Sequence, residues 1–118
     1  MEYKELDIWK KTRILANDVY TLTKKFPREE MFSLTNQIRR CVVSVPSNIA
    51  EGIGRNTTKD TIHFLFIARG SLFELETQLL LSYDQHYLNE TELNEVLSKL
   101  VDCKKLINGL INYYQKLI

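Results

Sequence analysis

The chain has 118 residues, 44% of them hydrophobic and 26% charged, with a net charge of +1. That length suits one domain spanning residues 1–118, and the near-neutral balance excludes the basic footprint of a dedicated nucleic-acid binder. Only 4 glycines and 2 prolines are present, few turn-formers for an all-β chain, so long helices with short connections are expected.

The N-terminus, MEYKELDIWKK, is charged and lacks the apolar core of a secretory leader, so a cytoplasmic chain is expected. A first helix is predicted from about Leu6 to Lys25. Ile8, Trp9, Thr12, Leu15, Ala16, Val19, Leu22 and Phe26 fall on one face at three-four spacing. Phe26-Pro27 ends it, because a residue before proline disfavours the α region.

A second helix is predicted to begin at Ser33 as N-cap and to carry QIRRCVVSVPSNIAEGIGR. CVVSV has the β-branched residues of a strand, but a strand would alternate and this run does not. Leu34, Ile38, Cys41, Val42, Val45, Ile49 and Ile53 fall on one helical stripe. The helix therefore crosses Pro46, which removes one donor and is expected to kink it. Ser44 or Ser47 could satisfy freed backbone groups, and Gly52 and Gly54 supply a stop.

A third helix is expected after Asn56-Thr57-Thr58, running to about Tyr83. Its core stripe is Ile62, Leu65, Ala68, Leu72, Leu75, Leu79 and Leu80. This helix lies in the longest apolar tract, but Arg69, Glu74 and Glu76 make it a poor membrane span. A fourth follows Asn89-Glu90-Thr91-Glu92, a capping box with Asn as the cap. The fold class is thus all-α: an antiparallel up-down-up-down four-helix bundle with the second helix kinked at Pro46. Cys41 and Cys103 both fall on apolar faces and read as reduced, buried thiols.

Two helices carry more apolar surface than a bundle needs. Val43, Pro46, Ala50 and Gly54 form a second stripe of small residues on helix two. Phe64, Phe66, Ile67, Phe73 and Leu81 lie largely outside the core stripe of helix three. Exposed, such residues mark an interface. Val43, Pro46, Ala50, Gly54, Phe66 and Phe73 are the candidates for contact with further copies of the chain. Arg69 and Glu76 fall near the centre of the third helix's core stripe. With Asn48 they are expected to form a buried polar network that meets other helices.

No chemistry-bearing constellation stands out. There is no phosphate-binding glycine loop and no Cys-x-x-Cys, and His63 and His86 stand alone. A di-iron bundle wants two Glu-x-x-His pairs, whereas Asp60-x-x-His63 is a single near miss. Seven residues separate Arg55 from His63, wider than the Arg–His spacing of the helical-bundle RNases. The expectation is a non-enzymatic chain with no cofactor, no metal and no small-molecule substrate.

QIRRCVVSVPSNIAEGIGR resembles the signature of the rRNA intervening-sequence proteins, a bacterial four-helix-bundle family. FLFIARGSLFELETQL, LINGLI and the opening DIWKKTRILANDVYTLTKKFP agree with it, so the resemblance covers nearly the whole chain. Cys41 departs from the family's usual small residue. The resemblance implies protomers assembled as a pentameric ring, and no enzymatic activity. It also implies a link to the accessory variability proteins of diversity-generating retroelements, which bind nucleic acid and a partner reverse transcriptase.

Two roles remain open: a protein-interaction scaffold, or a ring that binds RNA or DNA. Candidate phosphate contacts are Lys10, Lys11 and Arg13 on helix one, and Arg39, Arg40 and Arg55 on helix two, repeated by any symmetry of the assembly. The first 70 residues hold 12 Lys and Arg against 8 Asp and Glu, while the remainder hold 4 against 7. Glu51 stands four residues before Arg55, the favourable orientation for a local ion pair.

Overall fold

The computed structural model describes residues 1–118 and contains four long helices. These are α1 (Asp7–Thr23), α2 (Leu34–Ile53), α3 (Thr58–Asp84) and α4 (Glu90–Gln115). Short 3-10 turns at Tyr3–Glu5 and Arg28–Glu30 precede α1 and α2. Each helix packs against its two neighbours, α1–α2, α2–α3, α3–α4 and α4–α1, with no backbone approach across either diagonal. The fold is the expected bundle, and the α1–α2 and α3–α4 seams consequently lie on opposite sides of it.

The core follows the periodicity. Leu15, Val19, Ile38, Val42, Val45, Ile49, Leu65, Leu72, Leu75, Leu79, Leu100 and Ile107 are fully buried. Burying one such side chain contributes roughly 1.5–3 kcal/mol. Two positions depart from the pattern. Leu80 is exposed, whereas Gln78, on the same turn, is buried. The core stripe of α3 drifts over its 27 residues, because apolar positions seven apart fall short of two full turns.

Capping decides the helix ends, not always as expected. Asn89 and Glu92 form the capping box of α4, and Thr57 caps α3 by accepting from Asp60 N–H. Ser33 occupies the N-cap position of α2, but its side chain makes no capping bond. α2 runs unbroken through Pro46. Ser44 Oγ donates to Cys41 C=O one turn ahead of the proline, while Asn48 Nδ2 donates to Ser44 C=O. Neither Ser44 nor Ser47 donates to Val42 C=O, the acceptor that Pro46 leaves free.

The glycines of α2 act differently from a left-handed stop. Gly54 ends the helix at φ −79°, in ordinary right-handed geometry. Gly52 lies inside the helix because α3 crosses there. A Cβ on it would stand 2.9 Å from Phe64 Cβ, and Thr61 Oγ1 donates to its carbonyl at 2.7 Å. Farther along the same seam, Cys41 Sγ donates to Ser71 C=O, and the Ser44 and Ser71 hydroxyls bond at 2.7 Å. Small residues and short hydroxyls let α2 and α3 pack most tightly of all the pairs.

Candidate functional site

Between α1 and α2 the surface opens into a groove of about 830 Å³. Its floor and walls include Trp9 and Ala16 of α1 with Val43, Pro46 and Ala50 of α2. Short side chains on both helices leave the trough, since neither reaches across to fill it. Tyr3, from the N-terminal turn, packs edge-on against Trp9 with ring centroids 5.2 Å apart, and the Arg13 guanidinium lies 5.5 Å from the Trp9 ring centroid. Three of the expected interface residues, Val43, Pro46 and Ala50, are thus brought together here. Gly54, the fourth of that stripe, is exposed at the end of α2 and does not line the groove.

The groove is rimmed by Lys4, Lys10 and Arg13, and no Asp or Glu lines it. Lys10 and Arg13 were legible in the sequence as candidates. Lys4 was not, because it belongs to a turn that packs on α1 and α2 only in three dimensions. The other four candidate cations are dispersed. Lys11 turns to the α1–α4 side, beside Ile14, Lys99 and Cys103. Arg39 bonds Thr23 Oγ1 and lies over Tyr20. Arg40 is exposed. Arg55 pairs with Glu51 at 2.7 Å and lies over Phe64. The six do not form one patch.

On the opposite side of the bundle, Phe66 and Phe73 are exposed on α3. Leu80, seven residues beyond Phe73, extends them into a heptad-spaced stripe, and Val101 of α4 is exposed as well. Arg69 lies over the Phe66 ring and donates to Asn108 Oδ1 at 3.1 Å. Lys104 lies over Phe73 and pairs with Glu76 at 2.8 Å.

Arg69 and Glu76 therefore each meet another helix, α4, but from the half-buried edge of the core rather than its centre. Asn48 is not joined to them. It bonds its own helix at Ser44, on the α2–α3 seam. The expected three-residue network resolves into two α3–α4 bridges and one local bond.

Burial pushes the Cys41 thiol up to about 12, helped by the nearby Glu74 carboxylate. It pushes Cys103 up to about 11, against a small lowering by Lys11. His63 and His86 are exposed. No group of three or more His, Cys, Asp or Glu is placed to hold a metal ion. No helix is long and apolar enough to cross a membrane.

The family model described as 23S rRNA-intervening sequence protein matches residues 4–109. Among solved structures, the chain is similar to a protein of unknown function from the S23 ribosomal protein family of Bacteroides thetaiotaomicron. The two share 24% identity over 95% of this chain and 99% of the other, with a TM-score of 0.84, a likeness of fold. No curated protein matches the chain.

Proposed function

The chain belongs to the 23S rRNA-intervening sequence protein family, and on that premise we propose that it is a non-enzymatic interaction scaffold built from several copies, five in a ring. One observation carries this reading. The protomer presents an open, partly apolar groove on its α1–α2 face and an exposed stripe of Phe66, Phe73 and Leu80 on the opposite face. Two unlike apolar surfaces pointing in opposite directions suit head-to-tail contact, which closes into a ring when the rotation per copy allows. Both buried thiols stay protonated at neutral pH and are poor nucleophiles, which supports a non-catalytic role. Free thiols also suit the reducing cytoplasm.

Native mass by light scattering tests the reading. The expected mass is a multiple of the 13.9 kDa protomer, five-fold for the ring, at both low and high salt. A monodisperse protomer at micromolar concentration overturns it.

A second reading rests on the cation-only rim of the same groove. Lys4, Lys10 and Arg13, set around an aromatic wall, offer phosphate contacts and a stacking surface. On this reading the chain binds RNA or DNA with affinity that falls steeply with salt. Lys10→Glu with Arg13→Glu abolishes that binding while urea unfolding shows the protomer still folded. Absence of binding even at low salt leaves the scaffold alone.

A further inference from the structure

At the other end of the α1–α2 seam, where α1 gives way to α2, the surface folds into a small, half-open cavity of about 170 Å³. That is several times the roughly 30 Å³ share of one liquid water. Three cations line it, Lys24, Arg28 and Arg39, and no Asp or Glu does. None of the three takes part in an ion pair; those of the chain use Lys25, Arg55, Lys99 and Lys104 instead. Glu29 and Glu30 follow Arg28 in sequence but do not line the cavity.

Thr35 also lines the cavity, and it supplies an independent observation. The residue is only 5% exposed, and its Oγ1 is buried without any hydrogen-bond partner. A buried hydroxyl left unpaired costs free energy; less than 1 Å² of this oxygen meets solvent, so a ligand oxygen reaches it when the adjoining side chains shift. Arg39 is already oriented. Its Nε donates to Thr23 Oγ1 at 2.9 Å, and its guanidinium carbon lies 4.8 Å from the Tyr20 ring centroid. That leaves the terminal amino groups of Arg39 unengaged. Thr35 is the second residue of α2, whose N-terminal turn receives no bond from the Ser33 side chain. The positive end of the helix therefore adds to the same field.

We propose that this cavity binds a phosphate group. Arg39, Lys24 and Arg28 supply the countercharge, and the Thr35 hydroxyl donates to one phosphate oxygen. A free phosphate ion and a nucleic-acid 5′-phosphate share this chemistry. The site is built within one protomer, so it stands whether or not the ring forms.

The test is a thermal-unfolding titration of the intact chain with inorganic phosphate against chloride at matched ionic strength. Phosphate is expected to raise Tm and chloride not to, because a ligand bound only to the folded state stabilises it. Thr35→Val and the double variant Lys24→Gln/Arg28→Gln each weaken phosphate binding by about tenfold or more. Thr35→Val leaves the phosphate-free Tm unchanged or higher, since it removes the unpaired hydroxyl. Arg40→Gln, outside the cavity, changes nothing.

A parallel titration uses a short oligonucleotide with and without a 5′-phosphate. Tighter binding of the phosphorylated form, lost in the same variants, identifies a nucleic-acid end as the source. A response to inorganic phosphate alone identifies the free ion. Equal Tm in phosphate and chloride with no preference for the 5′-phosphate overturns the proposal. So does a phosphate response that survives both variants.

Discussion

The α1–α2 and α3–α4 seams are built by the same bundle geometry, yet one is open and the other bridged. Across α3–α4, long side chains reach over. Lys104 meets Glu76, Arg69 meets Asn108, and each cation also covers a phenyl ring. Across α1–α2, Ala16 and Ala50 stop short, and Lys4, Lys10 and Arg13 find no carboxylate among the groove's lining residues. Side-chain length and pairing, not helix position, decide which seam is bridged within the protomer and which stays open.

The largest effect is expected from charging the open seam. Val43→Asp with Ala50→Asp places carboxylates on the groove wall and, on the assembly reading, reduces the native mass to that of the protomer. The protomer itself should lose no more than about 1 kcal/mol, since neither side chain is fully buried. Light scattering and urea unfolding on the same samples separate the two effects.

The tight α2–α3 seam is the reference for both. Gly52→Ala pushes a methyl against Phe64, from which a Cβ would stand only 2.9 Å. It should cost about 1–3 kcal/mol in urea unfolding. A neutral result would mean that α2 and α3 separate easily, so that packing is not what distinguishes the seams.

At the bridged seam, Glu76→Ala leaves Lys104 without its partner while both side chains are less than one-third exposed. A loss of about 1 kcal/mol is expected. Lys10→Ala, on the open seam, should change stability by no more than about 0.5 kcal/mol. If the two substitutions cost the same, the bridged-versus-open distinction fails.

The smallest effect is alkaline. Both thiols have folded-state pKa values above the ordinary 9.0, about 12 for Cys41 and about 11 for Cys103. The unfolded chain therefore releases these protons first. Their contribution to stability is complete below pH 9.0 and is lost as pH rises toward those values. Urea midpoints should fall above pH 9.0, and Cys103→Ala should flatten part of that fall. An equal slope in the variant would remove Cys103 from the account.

The helices themselves were legible in the chain. Three-four spacing gave α1 from Ile8 through Val19 and α2 from Ile38 through Ile49, continuing past Pro46. Asn89 with Glu92 marked the start of α4. These signals are local, because a helix's period and caps involve residues a turn apart. Excess apolar surface on helices two and three was also legible, since more apolar positions were present than one stripe can hold. What the spacing could not give was where that surface goes. Val43, Pro46 and Ala50 share a groove with Trp9 of α1, whereas Phe66 and Phe73 lie across the bundle from them.

The amino-acid sequence thus determined four amphipathic helices, the capping box of α4 and most of the core, because backbone hydrogen bonding and helical period act over a few residues. Only the tertiary structure decided that Glu76 pairs with Lys104 and not Asn48, that Gly52 is a crossing point rather than a stop, and that Lys4 joins Lys10 and Arg13 around a groove. Each of these depends on the rotation and approach of two helices distant in the chain. That geometry is set by the volumes of side chains packed between them, which no local pattern records.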